Sequence, residues 1–265
     1  MITSNHNPKI QWVRKLQNQA KTRREEGLFI VEGVRLVEEA CQAGWQAGLV
    51  LYSPELSPRG LRLVEHFQAA GAPVDETAAS VLAYASDTPA PQGILAVLAA
   101  NPRPLPDRLD YVLIADGVRD PGNLGTLLRT AAAAGVQAVL LPPGAVDPWA
   151  PKVVRSAMGA HFRLPVLELG WEQIRSVLHP ADGPRLQVFL ADSGGGLAYH
   201  AADLRQPLAL LIGGEAEGAG AQGAALADER IHIPMPGRVE SLNAAVAAAV
   251  LMFEVARQRK EMIVP

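Results

Sequence analysis

Two periodicities alternate along this chain. Short aliphatic and β-branched runs of four to six residues are each followed by a stretch whose apolar positions recur at helical spacing. In the first hundred residues the pattern predicts a helix over 8–22 and a strand at Leu28-Phe-Ile-Val-Glu. A helix follows from Val34 to Ala43, with Val34, Leu36, Val37 and Ala40 on one face. Leu49-Val-Leu-Tyr is a strand, a helix lies around 60–70, and Gly93-Ile-Leu-Ala-Val-Leu closes the series. Beyond residue 110, Tyr111-Val-Leu-Ile-Ala is apolar at every position, as expected of a strand covered on both faces. The pattern then predicts a helix over about 124–134, a strand at 138–141 and a helix near 149–158. Strands at 188–191 and 208–212, a short strand stopping at Pro234 and a final helix over about 242–258 complete it. Such alternation predicts an α/β protein: a small N-terminal α/β domain and a C-terminal, mostly parallel sheet with helices on both faces.

The boundary between them is chemical. Residues 101–110 hold Pro102, Pro104 and Pro106, and alternating prolines favour an extended connection over helix or strand. The expected domains are therefore 1–100 and 111–265, joined by this linker.

Composition narrows the classes. A chain of 265 residues with 49% hydrophobic and 19% charged residues suits a globular protein. No run is long and apolar enough to span a bilayer, and Met-Ile-Thr-Ser-Asn-His lacks the form of a signal peptide, so a cytoplasmic location with no membrane partner is expected. Cys41 is the single cysteine, which excludes an internal disulfide, and the six histidines lack ligand spacing, so no metal is expected. A net charge of −3 does not mark a nucleic-acid binder, but its distribution does more. Residues 1–24 carry Lys9, Arg14, Lys15, Lys21, Arg23 and Arg24 without one acidic residue. Clustered positive charge neutralises phosphates even on an acidic chain; the alternative is a solvated helix face.

Three clusters lie just after predicted strands, where open α/β sheets place their sites. In Asp120-Pro-Gly-Asn-Leu-Gly-Thr-Leu-Leu-Arg, a turn leads into a helix beginning near Asn123, which either caps it or serves a ligand, and Arg129 follows among leucines and alanines. In Leu211-Ile-Gly-Gly-Glu-Ala-Glu-Gly, a buried strand runs into glycines that admit close backbone approach, with Glu215 beside them. In Ile231-His-Ile-Pro-Met-Pro-Gly-Arg-Val-Glu-Ser-Leu-Asn, a stiff Pro/Gly loop exposes backbone groups, and Ser241 occupies the expected N-cap of the last helix. Gly218, Gly220 and Gly223 form a literal G-x-G-x-x-G. It does not directly follow its strand and too little chain remains for a dinucleotide half, so a nicotinamide-dependent oxidoreductase is disfavoured.

The three clusters in this order, Asn123 to Arg129, then Gly213-x-Glu215-x-x-Gly218, then Ile233-Pro-Met through Ser241-Leu-Asn243, resemble the motifs of the SpoU/TrmH-type RNA ribose 2′-O-methyltransferases of the SPOUT superfamily. Arg24-Glu-Glu-Gly-Leu-Phe-Ile-Val-Glu-Gly-Val-Arg, with Thr88-Pro-Ala-Pro-Gln-Gly-Ile, resembles that family's N-terminal substrate-binding domain, and Lys152-Val-Val-Arg-Ser-Ala-Met-Gly-Ala is also similar to a family segment. Gly214 departs from the Asn of many relatives.

The resemblance implies a deep trefoil knot, which nothing in the spacing predicts. It implies S-adenosylmethionine as cofactor, held by Gly213, Ile233 and Leu242 with Met235 beside them. The site residues it carries over are Arg129 at the reacting 2′-hydroxyl, Asn123, Ser241 and Asn243 positioning the ribose or the arginine, and Glu215 bracing the knot or the arginine. It implies RNA as partner, rRNA in preference to tRNA, bound through the basic N-terminal residues and Arg155. It further implies a homodimer whose active site draws on both subunits. A non-catalytic RNA-binding protein on the same scaffold is the alternative of another class.

Overall fold

The computed structural model describes residues 1–261 apart from Asp182, Ala216 and Arg238. The chain divides into two compact units, one of residues 1–101 with 147–162 and the other of 102–146 with 163–265. Segment 147–162, which the sequence assigns to the second domain, thus packs with the first unit.

In the N-terminal unit the strands are β1 (Leu28–Glu32), β2 (Ala47–Tyr52), β3 (Val74–Glu76) and β4 (Ile94–Ala99), in the order β1-β4-β2-β3. β4 runs antiparallel to both β1 and β2, and β3 is parallel to β2. The period of two is legible in the packing. Phe29 and Val31 of β1, with Ile94, Ala96 and Leu98 of β4, enter one apolar layer, while Ile30, Leu95 and Val97 enter the other. The first layer is covered by α3 (Val34–Gln42), α4 (Pro58–Ala69) and α7 (Pro151–Ala157). The second is covered by α1 (Pro8–Asn18) and α5 (Ala79–Ala85).

The single helix predicted over 8–22 is broken. Gln19 takes an extended conformation, with φ −125° and ψ 107°, and α2 (Ala20–Glu26) begins after it. The break lets the α2 side chain Arg23 turn inward. Its guanidinium donates to the Asp147 carboxylate at 2.7 and 2.9 Å and to the carbonyls of Leu16 and Gln17 at 2.6 and 3.0 Å. Both partners of the ion pair are buried, at 6% and 7% exposure. Arg23 is therefore a strut in the unit's interior and not part of the basic surface drawn from the sequence.

Near it lies a cluster of Phe29, Trp45, Trp149 and Phe162, with ring centroids 4.7–6.5 Å apart. His161 stacks on Trp149 at 5.1 Å and its Nε2 lies 2.8 Å from the Pro148 carbonyl, while Nδ1 has no partner among the described residues. Burial holds the imidazole neutral, with a pKa pushed down to about 4.

The C-terminal unit is built on seven strands: β5 (Tyr111–Asp116), β6 (Ala138–Leu141), β7 (Val166–Glu168), β8 (Gln187–Ala191), β9 (Leu197–Ala198), β10 (Leu208–Gly213) and β11 (Glu229–His232). Their order is β7-β6-β5-β10-β8-β11-β9, and every neighbouring pair is parallel. Val112, Ile114, Leu140, Val188, Leu190, Ala209 and Leu211 form one buried face with Ile174 and Leu178 of α8 (Trp171–Leu178). On the same sheet α6 (Pro121–Ala133) and α10 (Ala244–Glu261) pack against each other, and α10 lies on β10. The buried Tyr111 hydroxyl donates to the Met252 carbonyl at 3.3 Å, and Arg259 donates to the Asp110 carboxylate and to the carbonyls of Asp110 and Gln206 at 2.8–3.0 Å. These bonds fix the C-terminal part of α10 at the start of β5.

Two outcomes follow from the buried polar groups of the N-terminal unit. Removing one partner of a buried ion pair strands the other charge, so Arg23→Ala is expected to cost about 3–5 kcal/mol in urea unfolding. His161 has a lower pKa folded than unfolded, so its contribution is intact above pH 6.5 and lost as pH falls towards 4, where only the unfolded chain binds the proton. Unfolding free energy should fall by about 2 kcal/mol between pH 7 and pH 5 from this group, a slope that His161→Gln removes.

Candidate active site

The C-terminal ends of the central parallel strands carry the site. Register fixes their neighbours: Gly213 lies beside Asp116, and Ala191 of β8 sits between Ile212 of β10 and Ile231 of β11. The loops leaving β5, β10, β8 and β11 therefore emerge side by side.

Asp120 opens α6, its carboxylate accepting from the Asn123 amide N–H at 2.8 Å, with Pro121 in the first turn. Asn123 is thus not the cap but a first-turn residue whose side chain is free for other work. The last helix differs from expectation in the same way. The Asn243 side-chain oxygen accepts from the N–H groups of Ala245 and Val246 at 3.0 and 3.2 Å, so Asn243 and not Ser241 caps α10. Because α6 and α10 pack together, their first turns meet. Asn243 Nδ2 donates to Asn123 Oδ1 at 3.1 Å, and Asn123 Nδ2 donates to the Glu215 carboxylate. One residue from each of the three clusters joins this chain. The carboxylate fixes one amide, which fixes the next.

Glu215 rides on a closed turn in which Gly214 and Gly218 exchange both backbone hydrogen bonds at 3.0 Å. The turn tolerates no side chain at its base. A Cβ on Gly213 would come within 2.2 Å of the Ala219 nitrogen, and one on Gly214 within 2.4 Å of the Gly117 carbonyl oxygen.

Asp116, missed in the sequence, explains the glycine motif. Its buried carboxylate accepts from the Gly220 N–H at 2.7 Å, and burial raises its pKa against that bond. A Cβ on Gly223 would lie 2.6 Å from Asp116 Oδ2 and 3.1 Å from the Trp171 ring. Gly220 and Gly223 therefore make room for a buried carboxylate, and the helix after them, α9 (Ala221–Ala224), is a single turn. The signal available in sequence was a lone Asp closing an apolar strand. The Asp192-Ser-Gly-Gly-Gly segment after β8 emerges between the Gly213 and Ile233 loops.

The other expected residues fall into place less closely. Ile233 and Met235 are half-buried in the loop after β11, and Ser241 and Leu242 are exposed beside Asn243. Arg129 is exposed on α6 and makes no hydrogen bond or ion pair among the described residues. The structure does not bring Arg129 or Ser241 into the Asn243–Asn123–Glu215 chain. Of the basic candidates in the N-terminal unit, Lys9 pairs with Asp75 at 2.5 Å and Lys21 with Glu25 at 3.7 Å. Arg14 stacks on Tyr84, and Arg155 pairs with Asp87 at 2.5 Å. Lys15 and Arg24 are exposed. Among the described residues no cluster of side chains has the makings of a metal site, and no helix is long and apolar enough to cross a membrane.

Residues 110–253 match the model of the SpoU rRNA Methylase family, and residues 7–96 match the MRM3-like substrate binding domain. The chain belongs to the SpoU rRNA methylase family. It is 35% identical to the mitochondrial rRNA methyltransferase 3A of Danio rerio over 89% of this chain and 65% of that protein, so it spans about two thirds of that relative's length. It is 33% identical to the 23S rRNA (guanosine(2553)-2′-O)-methyltransferase RlmP of Bacillus subtilis, over 96% of this chain and 98% of that one. Among solved structures it resembles the AdoMet-bound rRNA methyltransferase of Sinorhizobium meliloti, with a TM-score of 0.86 and 32% identity over 97% of both chains. In this SpoU family member the three motif clusters are thus separate in sequence and adjoining in space.

The reassigned cap has a direct test. Asn243→Ala should lower stability by about 1 kcal/mol in urea unfolding, whereas Ser241→Ala should stay within about 0.5 kcal/mol of the wild type. Equal losses would return the cap to Ser241.

Proposed function

We propose that this protein transfers a methyl group from S-adenosylmethionine to a ribose 2′-hydroxyl of ribosomal RNA. The observation that carries the reading is the hydrogen-bonded chain Asn243–Asn123–Glu215, which draws one residue from each family motif to the C-terminal ends of β5, β10 and β11. The names of the Bacillus and Sinorhizobium relatives favour rRNA over tRNA and support the cofactor.

The residues present fit that cofactor. Gly213 and Ile233 end or follow parallel strands two places apart in the sheet, and their loops offer backbone donors and acceptors on either side of the β8 loop. Ile233, Met235 and Leu242 add apolar surface for an adenine ring, within a Pro/Gly loop that loses little entropy on binding. When bound, the cofactor supplies an electrophilic methyl group.

The protein's part is alignment and charge. Asn123 and Asn243 hold amides in fixed directions for the ribose, because Glu215 orients the first and α10 the second. Arg129 offers a guanidinium with five donors and no acceptor site. Its guanidinium, exposed and unpaired among the described residues, suits an RNA phosphate and the alkoxide charge that develops as the hydroxyl loses its proton. Lys9, Arg14, Lys15, Lys21, Arg24 and Arg155 serve RNA phosphates, at the cost of the weak surface pairs that Lys9, Lys21 and Arg155 make.

The same reading includes a homodimer and a C-terminal segment threaded as a knot. Val246 and Phe253 stand about half exposed on α10, seven residues apart on one stripe with the half-buried Val250, a face that a second copy would cover. The insertion of β10 between β5 and β8 supports a threaded path. A cytoplasmic location accords with the substrate.

Purified protein incubated with S-adenosylmethionine and unmodified ribosomal RNA should introduce a 2′-O-methyl group detectable by mass spectrometric mapping. Arg129→Ala should lower kcat by about 10²–10³-fold while calorimetric affinity for S-adenosylmethionine is retained. Turnover equal to wild type would remove Arg129 from the mechanism.

A further inference from the structure

A cleft of about 540 Å³ opens within the N-terminal unit, between the starts of α3 and α4 and the segment leading into β4. The motif clusters of the C-terminal unit do not account for it. Its walls are of two kinds. Val34, Leu82 and Pro91 are apolar, and Ser53, Glu55, Ser57, Arg59 and Gln92 are polar.

Each polar group has a defined state. Gln92 spends its side-chain carbonyl on the Val34 N–H at 3.0 Å, which fixes the amide, and its NH₂ donors bond nothing among the described residues. The Ser57 hydroxyl accepts from the Gly60 N–H at 3.3 Å and keeps its proton to donate. Glu55 makes no ion pair among the described residues, so its carboxylate is a free acceptor at the cleft. Arg59 is held by Glu38 through two hydrogen bonds.

The walls are set before any ligand arrives. Gly93, at φ +80°, accepts from the Ser53 N–H at 2.8 Å, and Leu56 lies against Gly60 where a Cβ would overlap it. Glu32 anchors the segment ahead of Gln92, accepting from the Thr88 hydroxyl at 2.5 Å, from the Asp87 N–H at 3.2 Å and from Ser86.

An unpaired carboxylate argues against a phosphate as the main occupant. A carboxylate acceptor, an amide donor and the apolar side chains of Val34, Leu82 and Pro91 together complement a guanine base. The carboxylate accepts N1–H and the exocyclic N2–H in parallel, the amide donates to O6, and the walls take the two π faces. We propose that this cleft holds one unpaired guanine of the substrate RNA, as a recognition subsite and not as the reacting nucleotide, with Arg59 at the rim meeting a backbone phosphate. The inference rests on the RNA-methyltransferase reading and names which base its substrate-binding domain selects.

The test uses the full chain and 5′-labelled hexanucleotides, oligouridylate and its variants with one central guanine, adenine or cytosine. Binding is followed by fluorescence anisotropy for wild type, Glu55→Gln and Gln92→Ala. The wild type should bind the guanine oligonucleotide about tenfold tighter than the others, and Glu55→Gln should abolish that preference. With ribosomal RNA and S-adenosylmethionine, Glu55→Gln should raise the KM for RNA and leave kcat and cofactor affinity unchanged. Equal binding of all four oligonucleotides, no binding of any, a preference for another base or a preference that survives Glu55→Gln would each overturn the proposal. If the wild type binds guanine selectively but methylates no ribosomal RNA, the enzymatic reading fails while the subsite stands.

Discussion

The position of β10 in the sheet governs everything that happens at its edge. β10 enters the centre of a parallel sheet, between β5 and β8, although it comes late in the chain. That register places Gly213 beside Asp116 and aims the Gly214–Gly218 turn at the start of α6. The approach is so tight that a side chain at Gly213 or Gly214 would overlap backbone atoms. Backbone contact therefore sets where Glu215 stands, and Glu215 in turn orients Asn123 and Asn243. A polar chain of this kind is worth most when every member is satisfied, since each link fixes the next.

The two units solve the problem of buried charge differently. In the N-terminal unit, Arg23 and Asp147 are withdrawn from water and paired, with carbonyls taking the remaining guanidinium donors. In the C-terminal unit, Asp116 is buried with a backbone N–H as its partner and a raised pKa. The first arrangement closes a fold. The second supports the loop after β10 through the Gly220 N–H. Arg23 thereby belongs to the scaffold of its unit and not to a basic surface.

The sequence carried the architecture well because its signals were local. Continuous apolar runs such as Tyr111–Ala115 and Phe29–Val31 declared themselves as strands by composition and length. Elements at the margins did not. β3, β7 and β9 have three residues or fewer, too short for a period, and α5, α8 and α9 span at most two turns. Helix starts were misplaced where two capping residues compete in sequence: Asp120 against Asn123, and Ser241 against Asn243. The break at Gln19 was hidden because the inward pull on Arg23 comes from Asp147, far along the chain. The motif residues were legible as a set, but not the bonds joining Asn123 to Glu215 and Asn243, which exist only once distant strands have paired.

The central claim is that the loops after β10 and β11 form one cofactor cleft beside that polar chain. Hydrogen–deuterium exchange with and without S-adenosylmethionine addresses it most directly, since binding slows exchange where backbone groups are engaged. Peptides spanning residues 208–220 and 229–246 should both become protected on adding the cofactor. Protection of neither, or protection confined to the N-terminal unit, would contradict the account.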